Sequence, residues 1–455
     1  MYHTGSIIRR LKSLKSHIET SQQESAINQD FEEQQKKKKK NKDTSQQDHH
    51  GEEEDETYDV IVVGGGITGT SSAYLLAKSG LKVLLLEQFE KMHSNGSSHG
   101  DGRIIRYSYP EDIYVKLSKI AYPLWAQVEK ESKQKLIHIT GGLDFGAFDE
   151  EALRQLLIAY DNNKISYSIL GYKEANKRFP QYKFDKETLI VYQPDSGVVF
   201  ASKAVGALWS LAQKYGATLF DKTKVDTITV ENDNMVTVKT LDQKTFVAKK
   251  IVLAAGGWIN DLLLRSQLGL RIPVNISMEK VFYYQPKQST ATTTTTTIDY
   301  TMYSNPVTIN YAGKDLIYYS LPQIDIPGVK VGYHHSGPVL DSMDSPKPEY
   351  PQEYQDMVSG FVGKYMPGLN NKLDSNTKTL LCHYTNTSDF HFIIDRHPSH
   401  RNIIIASPCS GHGFKFGPAI GQIVLDLVMD IDTPIPLDDF SLKRFKSNIY
   451  KRIGA

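Results

Sequence analysis

Asp59-Val60-Ile61-Val62-Val63-Gly64-Gly65-Gly66-Ile67-Thr68-Gly69 is the stretch whose reading decides the fold. Val60–Val63 is a short continuous apolar run, as expected of a parallel strand buried on both faces. A helix-like segment follows from Thr70 to Lys78, then a second apolar run, Leu81–Leu86, closed by Glu87. Gly64, Gly66 and Gly69 thus fall on a strand-to-helix turn, with an acid 18 residues after the last of them. The three glycines act in different ways. Gly64 makes the tight turn, Gly66 admits backbone to a pyrophosphate, and Gly69 lets helix and strand pack closely. The helix N-terminus favours phosphate charge, and Glu87 suits a ribose diol. This predicts an α/β dinucleotide-binding lobe of Rossmann type. Glu87 disfavours a 2′-phosphate, which leaves NAD or FAD. A later run, Lys250–Ala255, ends at Gly256-Gly257 and reads either as a second nucleotide-side strand or as a strand ending in a turn.

Working outward, the chain has 455 residues, 53 Lys plus Arg against 52 Asp plus Glu, and two cysteines. Balanced charge argues against a general nucleic-acid binder. Two cysteines cannot form a disulfide framework or a four-cysteine zinc site, and no metal site is expected. No apolar run nears the roughly 18 residues that span a bilayer, so a soluble protein without membrane attachment is expected. Residues 1–56 carry a lysine run (Lys36–Lys40) and an acidic run (Glu52–Glu56, through Asp55), and read as a disordered tail. Inside that tail, Ile7, Ile8, Leu11, Leu14 and Ile18 fall at helical spacing opposite Arg9, Arg10, Lys12 and Lys15. This suits a mitochondrial presequence, while Arg10-Leu11 and His17-Ile18 resemble an N-terminal peroxisomal address; an amphipathic tail with no address is the third reading. The threonine-rich patch at 288–298 reads as a surface-loop insertion.

Three further clusters carry chemistry-bearing residues. His99-Gly100-Asp101-Gly102-Arg103-Ile104-Ile105-Arg106 is either a surface loop leading into a helix or a loop laid against a cofactor, with two guanidiniums for anions. Alternation places Lys330, Gly332 and His334 on one face of a strand. Cys382-His383-Tyr384-Thr385 and Ser410-Gly411-His412-Gly413-Phe414-Lys415-Phe416 flank a buried-strand pattern at Asn402–Ala406, with a helix from Pro418 onward.

Together these motifs resemble the monomeric sarcosine oxidase family over essentially all of 58–445. Thr385-Asn386-Thr387, Tyr333-His334-His335 and Asp395-Arg396-His397-Pro398 look most like its peroxisomal sarcosine oxidase, or L-pipecolate oxidase, branch. The resemblance implies a monomeric flavoenzyme of 57–445 with two interleaved lobes. An FAD lobe would comprise about 57–139, 200–272 and 385–445, and a mixed-sheet substrate lobe about 140–199 and 273–384. Gly64, Gly66, Gly69, Glu87 and the Val225 backbone would hold FAD, with Lys415 also beside it and Cys382 in a thioether to the flavin 8α-methyl. Arg103 and His99 match residues near the flavin. Arg106 and Lys415 match the pair that holds a substrate carboxylate, Tyr319, Tyr384 and His334 match the pocket lining, and Lys330 matches the lysine where O2 is reduced. The implied reaction oxidises a secondary amino acid such as sarcosine, L-pipecolate or L-proline by hydride transfer to FAD; the imine hydrolyses and O2 becomes H2O2, which suits a peroxisome. A larger N-substituted substrate, N-methyltryptophan or a fructosyl amino acid, and a flavin-binding protein without turnover are the competing readings. Gly102 departs from the threonine usual in bacterial members.

Overall fold

The computed structural model describes residues 57–287, 298–313, 316–374 and 377–445. The expected tail and its targeting motifs, and all but Ile298 of the threonine-rich insertion, lie outside the described residues.

The glycine turn joins the strand Thr57–Val63 to the helix Ile67–Lys78. Thr57–Val63 lies between two parallel neighbours, Val83–Leu86 and Thr245–Leu253. These belong to a sheet with eight strands among the described residues, whose other members include Ile403–Ser407, parallel to Thr245–Leu253. Period-two alternation explains why these strands are apolar throughout. Val60, Val62, Val83, Leu85, Val252 and Ile404 face one core, packed with side chains of the helices Ile67–Lys78, Asp112–Ser132, Ala201–Lys214 and Gly417–Met429. Ile61, Val63, Leu84, Leu86, Ile251, Leu253 and Ile405 face the other, with the helix Ile259–Arg265. Full burial stabilises each such side chain by about 1.5–3 kcal/mol.

A mixed sheet with nine strands among the described residues supplies the second layer. Its spine is Val274–Tyr284, antiparallel to Val329–His334 and to Thr379–Thr387, which runs on past residue 384. Ile317–Leu321, Val307–Tyr311 and Gly142–Ala147 continue the sheet. The register pairs Tyr283 with Lys330, Gly332 with Tyr319 and Val281, Glu279 with Cys382, Ser277 with Tyr384, and Ile309 with Tyr319 and Asp144. Paired residues share a face, so Asp144, Tyr311, Tyr319, Lys330, His334, Cys382 and Tyr384 project to one side. The expected grouping of Lys330, Gly332 and His334 is therefore seen. A small third sheet pairs Gly102–Ile105 with Gly197–Phe200. The segment after His99 thus enters a strand, not a helix: Ile104 and Ile105 are β-branched, and the edge of Gly197–Phe200 takes up their backbone bonds.

Candidate active site

The glycine turn works as its spacing predicts. Gly64 has φ +107°, and a Cβ there would lie 2.4 Å from the Ala254 carbonyl oxygen. A Cβ on Gly69 would lie 1.7 Å from the Gly64 carbonyl oxygen, so helix and strand could not approach with any other residue. The helix that follows has no acid in its first turn, which keeps its positive end uncompensated. Ser98 Oγ accepts from Ile67 N at 3.1 Å and stands beside Gly66. Glu87, 5% exposed, accepts from Gly65 N at 2.6 Å and Phe89 N at 2.9 Å.

From this turn a cavity of about 1180 Å³ extends to the mixed sheet. Its nucleotide-side wall includes Glu87, Val225 and Trp258, and its far wall includes Arg106, Tyr319, Lys330, His334, Tyr384 and Lys415. The volume exceeds the usual 300–1,000 Å³ of a small-ligand pocket, leaving room for a dinucleotide and a second molecule. Val225 is buried, and its carbonyl accepts from Arg265 Nη2 at 3.4 Å.

Midway along the cavity, Arg103 Nη2 lies 3.8 Å from Cys382 Sγ and donates to the carbonyls of Ser97 (3.0 Å) and His99 (2.8 Å). Arg103 Nη1 and Lys330 Nζ both donate to the Gly102 carbonyl at 2.9 Å. Burial, the Arg103 charge and the Lys330 charge hold the His99 imidazole down to about 4, so it is neutral at pH 7. Its Nε2 is buried without a partner among the described residues, which marks a position where a bound group would supply one. Burial, reinforced by Arg103, brings Lys330 down to about 8. A Cβ on Gly102 would press on Ile324 Cδ1 at 2.5 Å, so a larger residue there requires the tip of the Ile324 side chain to turn aside.

At the far end, Tyr109 holds two cations. Lys415 Nζ donates to its hydroxyl at 2.6 Å and to the His412 carbonyl at 2.8 Å, while the Arg106 guanidinium lies 4.7 Å from its ring centroid. Arg106 Nη1 also lies 3.6 Å from Asp144 Oδ1 and 3.4 Å from the Tyr311 hydroxyl. Burial and then Arg106 push Lys415 well below the usual lysine range. Asp144 is raised to about 6 by burial, which Arg106 and the Ser108 hydroxyl only partly offset. His334, with Nδ1 3.3 Å from the Tyr384 hydroxyl, is pushed well down by burial and then by His335. Gly332 has its Cβ position filled by the Tyr319 ring at 2.6 Å.

All the expected site residues, from Gly64 and Val225 to Cys382 and Lys415, are thereby brought to one cavity, Gly69 closing the turn from behind. Tyr109 and Tyr311 line it too, and Asp101, Asp144 and Tyr283 stand behind its wall, against Lys330, Arg106 and Asp101 respectively; none of the five was expected from sequence. Asp144 left a signal, since a lone acid inside Gly142-Leu143-Asp144-Phe145 needs a buried partner; Tyr109 and Tyr311 left none.

Residues 59–427 match the family described as FAD dependent oxidoreductase. The chain belongs to that family. It is an FAD-dependent oxidoreductase, and its relatives place it among those acting on CH–NH donors. It is 34% identical over 388 residues to the monomeric sarcosine oxidase of Bacillus sp. (strain B-0618), covering 83% of this chain and 94% of that one. Identity to the peroxisomal sarcosine oxidase of Mus musculus is 34% over 391 residues, covering 84% and 95%. The fold is shared with L-proline dehydrogenase from P. horikoshii (TM-score 0.72, 24% identity, 86% and 98% covered). NikD, an unusual amino acid oxidase essential for nikkomycin biosynthesis, shares it too (TM-score 0.71, 24% identity, 85% and 97% covered). The glycine cradle, the uncompensated helix end, Glu87 and the orphaned His99 nitrogen fit this flavoenzyme's cofactor. Among the described residues no helix is long and apolar enough to cross a membrane.

Proposed function

We propose that the chain oxidises secondary amino acids, sarcosine, L-pipecolate or L-proline, to imines, with O2 reduced to H2O2. The observation that carries this reading is a buried cation pair, Arg106 and Lys415, both packed against Tyr109 in the same cavity as the glycine turn. FAD supplies the redox chemistry, taking two electrons from the carbon beside nitrogen and passing them to O2. The glycine turn, Glu87 and the Val225 backbone would hold its nucleotide part, and His99, Arg103 and Lys415 would border its ring. Cys382 would be its covalent anchor, a role supported by its place in the cavity wall with the sulfur 3.8 Å from Arg103 Nη2.

The remaining steps belong to side chains. Arg106 and Lys415 bind the substrate carboxylate by charge-assisted hydrogen bonds. With both cations nearby, a protonated substrate amine is disfavoured, so the amine gives its proton to solvent on binding. His334, held neutral, adds no charge of its own, and with Tyr319 and Tyr384 it limits the space around the amine. Lys330 stabilises the negative charge that develops on dioxygen. The imine leaves for water, where it hydrolyses.

In this reading the cofactor lobe takes about 57–139, 200–272 and 385–445 and the substrate lobe about 140–199 and 273–384, which the division into two large sheets supports. The enzyme works as a monomer in the peroxisome, supported by the resemblance of residues 10–18 to an N-terminal address and by the peroxisomal relatives. Peroxide formation from sarcosine, L-pipecolate, L-proline and N-methyltryptophan tests the activity; silence on all four refutes it. A fluorescent fusion of the first 30 residues tests the location, and mitochondrial fluorescence overturns it.

A further inference from the structure

We infer that Asp101 is a positioning residue for Lys330: its carboxylate, anchored by Tyr283 and by the Gly102 backbone, keeps the lysine ammonium charged and in place at the cavity wall. The inference rests on the oxygen role of Lys330 and extends it to two residues behind that wall. Asp101 Oδ1 lies 3.9 Å from Lys330 Nζ, with both side chains almost fully buried at 4% and 6% exposure. The same oxygen accepts from Gly102 N at 2.8 Å and from the Tyr283 hydroxyl at 2.8 Å. Tyr283 and Lys330 are register partners on adjacent antiparallel strands, so the tyrosine ring stands beside the lysine stem on the same face. Lys330 Nζ meanwhile donates to the carbonyl of Gly102, the residue next to Asp101. Backbone, carboxylate and phenol thus form one fixed corner into which the ammonium fits.

Charge decides what this corner does. Burial and Arg103 both favour a neutral Lys330, while Asp101 favours the ammonium; His99 faces the same cations and is held neutral. A neutral amine has no charge with which to stabilise a developing anion. The corner therefore sets the pH up to which Lys330 serves oxygen reduction. Because Asp101 Oδ1 also orders the backbone at Gly102, a purely structural role has to be separated from this one. Asn serves for that, since its amide oxygen can still accept from Gly102 N and Tyr283 while the charge is gone.

The experiment is rapid mixing of anaerobically reduced holoenzyme with O2 across the pH range around 8 in which Lys330 titrates. In the parent enzyme the reoxidation rate falls as pH rises through that range. In Asp101→Asn the fall is expected about one pH unit or more lower, since a carboxylate this close shifts a partner by one to three units; Asp101→Glu restores most of the difference. A fall at the parent pH in Asp101→Asn overturns the inference and leaves Asp101 a backbone anchor. Should Asp101→Asn not fold, Tyr283→Phe releases the carboxylate from its anchor, and an unmoved fall there overturns the inference equally. Lys330→Met isolates the underlying reading: it must abolish the pH-dependent fall, and a fall that persists refutes the oxygen role of Lys330 itself.

Discussion

Replacing Arg106 with Met removes one of the two cations packed against Tyr109 while keeping an unbranched side chain of similar reach. The Arg106 side chain is 14% exposed, so solvent cannot substitute for its charge. A hydrogen bond to a charged group contributes about 1.5–3 kcal/mol net. At about 1.4 kcal/mol per tenfold, the carboxylate Kd should rise roughly 10- to 150-fold. Two neighbours respond. Asp144, raised to about 6 even beside Arg106, loses the charge that lowers it and takes up a proton near neutral pH. Lys415 loses its cationic neighbour, so its pKa rises and the residual carboxylate affinity persists to higher pH. The assay is anaerobic titration of the flavin absorbance with an unreactive carboxylate of substrate size, and with its neutral amide. The parent should favour the carboxylate strongly and Arg106→Met weakly. An unchanged carboxylate-over-amide preference would refute the assignment of Arg106, whatever happens to turnover.

Other outcomes follow from the same geometry. Acid precipitation of the parent protein should leave yellow colour in the pellet, and Cys382→Ala should release it to the supernatant; colour lost from the parent excludes the covalent tether. Lys330→Met should slow reoxidation by O2 far more than anaerobic flavin reduction, and equal slowing of both contradicts its role. Gly69→Ala forces a Cβ against the Gly64 carbonyl and should yield protein with little bound FAD, read from the ratio of visible to 280 nm absorbance. Burial, then Lys347, holds His383 at about 4 in the fold, against about 6.5 when unfolded. Between those values the unfolded chain binds the extra proton, so stability falls as pH drops from 6.5 to 4, by about 1.4 kcal/mol per pH unit. His383→Leu should flatten the slope by one proton, measured as holoenzyme urea midpoints across that interval.

Much of the cofactor half is legible because its signals are local. The turn from Gly64 to Gly69 needs residues without Cβ atoms within a few positions of one another, and the two-sided burial of Val60–Val63 and Val83–Leu86 imposes continuous apolar runs. The sequence predicts the helix from Thr70, whereas it begins at Ile67, since its first turn carries no cap residue to announce it. The substrate half is less legible. Lys330 contacts Gly102 across 228 residues, Tyr283 reaches Asp101 across 182, and Lys415 reaches Tyr109 across 306. No periodicity links such pairs, and the family resemblance marks Lys330 and Lys415 without marking Asp101, Tyr283 or Tyr109.

By itself, the sequence determined the dinucleotide turn, the alternation that puts Lys330 and His334 on one strand face, and the residue types able to hold a flavin and a carboxylate. Tertiary structure alone decided how charged those residues are. A lysine reads the same in sequence whether exposed or buried, yet Lys330 and Lys415 are both pushed down by desolvation and by an arginine brought beside each. It also decided which groups stand against the cations: the register of the mixed sheet sets Tyr283 beside Lys330, and the segment around Gly102–Ile105, laid across that sheet, brings Asp101 to Lys330 and Arg106 to Asp144.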